Sequence, residues 1–184
     1  TTGVEPKSIN QKDAIPYNYV YCSEAQALAE EMAPNSKYMT SLMFGIQWNL
    51  VCKFLEVKGG LTEEDINLNS NGWGNYSDVT RTITSNKAKQ KGELWTIITG
   101  TKPASNVLLS TGATDETKKM NIYDLAGNER EWTLEKAPSN TEPCVYRGGG
   151  SSNKGSGYPV IGQSNYNIVY DSDEIGFRVT MYAE

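Results

Sequence analysis

Residues 120–135 read MNIYDLAGNEREWTLE, and within them REWTLE (130–135) has the β-branched and aromatic content of a strand. CVYRGG (144–149) and GFRVTMY (176–182) carry the same signature downstream. Upstream, LWTIIT (94–99) and NVLLST (106–111) are shorter strand candidates. Between the last two strong candidates lies GGGSSNKGSGYPVIGQSNYN (148–167), with the Gly, Ser and Asn content of a flexible linker. A linker joins two folded parts, yet only one short strand candidate follows it.

The first half of the chain reads as helical. Residues 1–15 are polar and are expected to form an extended arm, with Pro6 and Pro16 nearby. Ser23 with Gln26 fits a capping box, and Ala25, Leu28, Ala29 and Met32 fall at helical spacing up to Pro34. A second helix is expected after Thr40 or Ser41, with Ile46, Leu50, Val51, Phe54 and Leu55 as its apolar face and Gly59-Gly60 as its stop. Trp48 is assigned to the core. A short acidic helix is expected from Thr62 to about Asn67. From Asn69 onward, turn-rich segments such as NSNGWGNYSD dominate, and long loops of this kind are where function concentrates. Helices first and short strands later make an α+β class. With 184 residues, no internal repeat and no composition break, 1–184 is expected to be one domain.

Composition removes several chemistries. There is no histidine, so Ser-His-Asp and Cys-His nucleophile systems and His-ligated metals are out. Net charge is −5 without a basic run, which argues against nucleic acid. No apolar stretch is long enough to span a membrane. The three cysteines, Cys22, Cys52 and Cys144, lack metal-ligand spacing and read as buried structural thiols, with at least one free because the number is odd. Tyrosine outnumbers phenylalanine 11 to 3, a bias that suits half-exposed surface. The chain begins at Thr1 rather than Met, so processing is expected, with any signal or anchor lying outside it.

The ordered set MNIYDLAGNEREWTLE, then YRGGG (146–150), then GFRV (176–179) resembles the formylglycine-generating-enzyme/sulfatase-modifying family, a variant of the C-type lectin fold. That family shows N-x-x-G-N-x-x-E-W, then RGG, then a closing GFR. YVYCSEAQALAEEM is similar to its first helix, and YMTSLMFGIQWNLVCKF matches its second in position, so the likeness spans about 15–182. It implies a C-type lectin fold of the formylglycine-enzyme type, with two helices, short antiparallel strands and long loops. Two departures stand out. Only the arm precedes the first helix, where the family has strands with a G-x-Y-E segment, and Glu129-Arg130 puts charge where the family buries apolar bulk.

The residues needed for the family's chemistry are missing. Formylglycine generation needs a cysteine pair between RGG and GFR, and no cysteine lies between Arg147 and Gly176. The iron-dependent members need histidine ligands. A binding role without catalysis is therefore expected. One branch of the family comprises variable proteins of diversity-generating retroelements, where adenine-directed mutagenesis turns AAC codons into a set rich in Asn, Ser, Tyr, Gly, Asp, Ile and Val, just before a GFR-like end. Its phage members are receptor-binding proteins. In residues 150–171, Gly, Ser, Asn and Tyr make 14 of 22. Antibody loops use the same residues, Tyr for contact area at low entropy cost and small residues for adaptable hydrogen bonds. The resemblance implies a ligand-binding face at Gly150, Ser151, Ser152, Asn153, Ile161, Gly162, Ser164, Asn165, Tyr166, Asn167, Tyr170 and Asp171, with Tyr166 and Tyr170 as aromatic anchors. Lys154 and Gln163 fall outside the AAC-derived set, and Gly155, Gly157 and Pro159 read as turn scaffold.

In this family the N-x-x-G-N-x-x-E-W turn can hold a structural calcium. By position, Asp124 and Glu131 would supply side-chain oxygens, and Leu125, Gly127 and Glu129 backbone carbonyls. Asp124 and Glu131 serve equally well as hydrogen-bonding partners of the turn. Arg147 and Arg178 are expected to be scaffold, tying loops to carbonyls or carboxylates. The partner implied is an unidentified protein or surface receptor, met on a phage virion or a bacterial cell surface. The alternatives are a degenerate enzyme-like domain with a structural role in a surface or virion assembly, and a calcium-dependent sugar lectin. The lectin signatures E-P-N and Q-P-D are absent, with TEPC (141–144) a partial echo.

Overall fold

The structure, a computed structural model, describes residues 11–32 and 37–183. Helix α1 spans Cys22–Glu30. Its start is held by Glu24, whose carboxylate accepts from the Tyr21 N–H at 3.0 Å. The expected Ser23–Gln26 box does not form. The Gln26 side-chain oxygen instead accepts from the Leu42 N–H (3.2 Å) and the Ser41 hydroxyl (3.3 Å), tying α1 to strand β1, Tyr38–Leu42. The apolar face is as expected at Ala25 and Ala29, which are fully buried. Pro34 and residues 1–10 of the arm lie outside the described residues. From Gln11 onward the arm lies against the body, with the Asp13 N–H donating to the Thr111 carbonyl (2.8 Å).

Helix α2, Gly45–Lys58, buries only part of the expected face, Leu55 with Val51 packed against the core. Trp48, Cys52 and Leu55 are buried, whereas Ile46, Leu50 and Phe54 are 66%, 62% and 43% exposed. The segment is apolar nearly all round, so periodicity does not choose a face. Trp48 does, because its indole N–H donates to the Val160 carbonyl at 2.9 Å. Thr40 and Ser41 belong to β1, and the helix start is capped by the Gln47 side chain on the Phe44 N–H (2.8 Å). The short α3, Glu63–Asn67, has a reciprocal cap, with the Asp65 N–H to Thr62 Oγ1 (3.1 Å) and the Thr62 N–H to the Asp65 carboxylate (2.8 Å).

The strands that follow are mostly short. They are β2 (Arg81–Thr82), β3 (Lys89–Gln90), β4 (Thr96–Ile97), β5 (Thr101–Lys102), β6 (Lys118–Lys119) and β7 (Ile122–Tyr123). They form the antiparallel pairs β2/β5, β3/β4 and β6/β7. The 106–111 candidate is not a strand, since Leu109 makes a single bridge to Gln90. The main sheet contains β8 (Arg130–Lys136), β9 (Cys144–Arg147), β10 (Gln163–Tyr166) and β11 (Ile175–Phe177), in the order β10-β9-β8-β11. β11 runs parallel to β8, so the sheet is mixed rather than wholly antiparallel. The final strand β12, Val179–Ala183, leaves that sheet and pairs antiparallel with β1, Tyr38 facing Ala183. Two main cores result. One packs α2 and α3 through Trp48, Leu55, Ile66, Trp73 and Tyr76 onto Leu125 and Val160. The other packs α1 onto the sheet through Ala25, Ala29, Trp132, Tyr146 and Ile175.

The linker-like stretch is integral to this body. The Ser70 N–H donates to the Gly155 carbonyl (3.3 Å), the Val160 N–H to Ser70 Oγ (2.9 Å), and the buried Tyr76 hydroxyl to the Tyr158 carbonyl (3.0 Å). Gly155 packs so tightly on Asn71 that any Cβ there would clash.

The cysteines correct one expectation. Cys22 and Cys144 form a disulfide (2.06 Å) joining the start of α1 to β9, while Cys52 is a buried free thiol whose pKa burial pushes up to about 12. The bond closes a long loop, with a sequence separation of 122, for which chain entropy gives roughly 4–5 kcal/mol. Thiol titration of denatured, unreduced protein should count one thiol, rising to three after reduction, and reduction should lower the melting temperature. Three thiols before reduction would exclude the bond.

Candidate functional site

The turn before β8 organises the surface. Asn128 sits at positive φ (62°) and is buried. Its side-chain oxygen accepts from Leu109 N–H (3.0 Å) and Asn75 Nδ2 (2.8 Å), and its Nδ2 donates to the Leu109 carbonyl (3.0 Å). Its backbone carbonyl accepts from the Ser151 N–H (3.0 Å), which hangs the 150–153 loop on the turn. Gly127 (φ 69°) lies so close to the Asn75 backbone that a Cβ would strike it, and its N–H donates to the Gly148 carbonyl (2.7 Å).

Arg130, one of the two charges out of family pattern, lies buried beneath this surface. Its guanidinium is 3.4 Å from Glu174 and 3.4 Å from Asn153 Oδ1, and 5.6 Å from the Tyr146 ring centroid. Asn153 Oδ1 also accepts from the Gly150 N–H (2.9 Å), closing the loop on itself. Glu174 accepts from the Ser152 hydroxyl (2.8 Å) and Asn106 Nδ2 (3.4 Å), and Asn106 Oδ1 accepts from the Ser151 hydroxyl (3.0 Å). Three tyrosines stack beside this network. Tyr146 and Tyr166 centroids are 5.2 Å apart, and Tyr166 and Tyr170 3.7 Å, at interplanar angles of 20° and 15°. Burial, then the Tyr170 hydroxyl and Tyr146, push the Tyr166 phenol up, so it stays neutral at physiological pH.

The predicted face divides in two. Ser152, Asn153, Ser164, Asn165, Tyr166, Asn167, Tyr170 and Asp171 are wholly or partly accessible, as are Ile161 and Gly162. Asn165 Nδ2 donates to the Glu142 carbonyl (2.8 Å), and Asn167 Oδ1 accepts from the Val169 N–H (3.1 Å) in a turn that leaves Ile168 and Val169 59% and 67% exposed. Gly150 and Ser151 are buried, so they shape the loop from beneath. Ile161 and Gly162 sit at the opposite end, where the Ile161 carbonyl accepts from Arg147 (2.6 Å). Sequence reasoning did not place Tyr146, Arg130, Asn106 or Glu174 at this surface. The parity of β9 and β10 could have suggested Tyr146, which faces Ser164 across the ladder.

Arg147 and Arg178 act as scaffold, as expected. Arg147 pairs with Glu135 at 2.7 Å. Arg178 pairs with Glu131 and donates to the Tyr123 carbonyl (3.2 Å) and the Asp124 carbonyl (3.4 Å). That pairing bears on calcium. The Asp124 carboxylate already accepts from the Gly112 N–H and the Thr117 hydroxyl, both at 2.7 Å, and Glu131 is held by Arg178. The Gly127 carbonyl accepts from the Glu129 N–H (2.9 Å). Among the described residues, no three His, Cys, Asp or Glu side chains group so as to hold a metal ion. The donor set does not fit a calcium, because a guanidinium supplies the positive charge and protein donors take the lone pairs. Glu129, the other departure, is 6% exposed, and both its carboxylate oxygens lack a partner. Burial pushes its carboxyl well above the usual range.

No protein-family model matches this chain, and no curated protein matches it in sequence. Solved structures resemble it in fold, among them CarF and a bacterial variable protein. CarF superposes with a TM-score of 0.59 at 12% identity, covering 92% of this chain and 68% of CarF. The variable protein 1 of Treponema denticola superposes with a TM-score of 0.56 at 13% identity, covering 100% of this chain and 76% of that one. The fold is mixed α+β, of the C-type-lectin-like kind of these neighbours.

Two measurements check the electrostatics. The melting temperature of calcium-saturated protein should be unchanged by chelator, and a fall of several degrees would restore the calcium. A carboxyl raised in the fold keeps a proton that the unfolded chain has released, so Glu129 costs stability increasingly as pH rises above about 4.3. The cost is roughly 1.4 kcal/mol for each tenfold difference in proton affinity between the folded and unfolded chains. Glu129→Gln should therefore melt higher than wild type at pH 7.5, with the gap closing towards pH 4.5. A gap independent of pH would show that Glu129 does not titrate in this way.

Proposed function

We propose that this chain is a non-catalytic ligand- or receptor-binding protein that displays its 150–153 loop and 163–171 segment as one contact face, diversified by a retroelement. The observation that carries the reading is the convergence of these two stretches on the Arg130–Glu174 pair and the Tyr146–Tyr166–Tyr170 stack. A scaffold that pins both ends of a segment by backbone hydrogen bonds tolerates side-chain exchange in between. The structural likeness to a variable protein supports it. The accessible side chains of the face are mainly hydroxyls, amides and tyrosine rings with an apolar tip at Ile168–Val169, a composition suited to contact rather than to acid–base chemistry. Its Arg130 is engaged with Glu174. The formylglycine-enzyme type of the fold, and a place on a phage virion or bacterial surface, belong to the same proposal.

Alanine at Tyr166 or Tyr170 should weaken binding to a captured ligand by about 30-fold, near 2 kcal/mol, as for aromatic anchors at interfaces, without changing the far-UV spectrum. Unchanged affinity in both variants would displace the face. In the gene, AAC codons concentrated in this region beside a template repeat and a reverse transcriptase are expected. A locus with neither would remove the diversification.

A further inference from the structure

A recess lies between the N-terminal arm and the β3/β4 hairpin, apart from the tyrosine face. It has a volume of about 320 Å³ and is lined by Gln11, Lys12, Asp13, Ala14, Lys87, Lys89 and Ile97. That volume falls at the lower end of small-molecule sites.

Both walls are fixed to the same short segment. The arm is held by the Asp13 N–H on the Thr111 carbonyl (2.8 Å) and the Thr111 N–H on the Ala14 carbonyl (2.9 Å). The hairpin is held by the Ser110 N–H on the Lys89 carbonyl (2.8 Å) and the Lys89 N–H on Ser110 Oγ (3.1 Å). The recess is thus formed before any ligand arrives, which removes an ordering cost from binding.

Three lysines and one carboxylate line it, leaving an excess of positive charge. Ala88 is fully buried, so the alternation of extended chain turns Lys87 and Lys89 together to the other side. Lys12 lines the recess from the arm. None of the three is in an ion pair found among the described residues. The single carboxylate present, Asp13, accepts from the Ser85 hydroxyl. A chain of net charge −5 that lines one recess with three lysines against one aspartate creates a local field of the opposite sign. Ammonium groups act on phosphate as point charges, and three of them suit a dianion better than a carboxylate. Ile97, 68% exposed, and Ala14 add an apolar floor.

We propose that this recess binds a phosphate-bearing small ligand whose carbon body rests on Ile97. The probes are inorganic phosphate and phenyl phosphate, titrated at constant ionic strength while the amide signals of residues 12–14 and 87–97 are followed by NMR. Both should give saturable shifts, with phenyl phosphate about tenfold tighter, equivalent to about 1.4 kcal/mol. The triple variant Lys12→Gln, Lys87→Gln, Lys89→Gln should weaken both at least about tenfold, while Lys53→Gln, on the exposed face of α2, should change neither. Absence of saturable shifts, or unchanged binding by the triple variant, would overturn the site. Equal affinity for the two probes would overturn the role given to Ile97. None of these outcomes depends on the tyrosine face.

Discussion

The buried amide of Asn128 is the contact on which the rest of the arrangement depends. A left-handed residue that is not glycine carries a conformational cost, which local hydrogen bonding offsets. Asn128 makes that offset structural. Its side chain serves the Leu109 N–H and carbonyl, and its backbone carbonyl receives the Ser151 loop. Three segments with little regular secondary structure of their own are thereby held in one place. A buried amide with each of these groups partnered stabilises, whereas one lost partner would leave a donor or acceptor stranded.

From that turn, β8 carries Arg130 and Trp132, which share one face of the strand, onto the Tyr146 ring. Trp132 goes into the core beneath α1, with its indole N–H on the Val20 carbonyl at 2.8 Å. Arg130 goes to the surface network with Glu174 and Asn153. The charged dipeptide Glu129-Arg130 thus has two unlike halves. Arg130 links the 150–153 loop, through Asn153, to Glu174 and to the Tyr146 ring. Glu129 remains buried without a hydrogen-bond partner, and no contact in the structure explains it.

Legibility in the sequence follows the source of each signal. The short acidic helix expected from Thr62 to about Asn67 forms as α3, because its capping box, Thr62 with Asp65, is local. The role of Gln26 is hidden from its neighbours because its partners, Leu42 and Ser41, lie across a chain reversal on β1. The inward face of α2 is equally hidden, since Ile46, Leu50 and Phe54 are as apolar as Trp48, Cys52 and Leu55, and only the Val160 carbonyl distinguishes them. The parallel pairing of β11 with β8 depends on a partner 45 residues away in register, Ile175 opposite Arg130. Cys22 and Cys144 meet for the same reason, since α1 and β9 are adjacent only in space.

The sequence by itself determined the α+β class, the loop-rich second half, the short helix α3 and the absence of histidine chemistry, because each is written in neighbouring residues or in composition. The ordered motifs around 127, 147 and 177 also named the candidate face at 150–171. Tertiary structure alone decided which of those residues reach the surface. Gly150 and Ser151 fold under Arg130 and Asn106, while Tyr146, which no local pattern marks, backs the Tyr166–Tyr170 stack from the core through cross-strand pairing. Exposure and stacking depend on what packs behind a residue, and that neighbour is set by contacts made far along the chain.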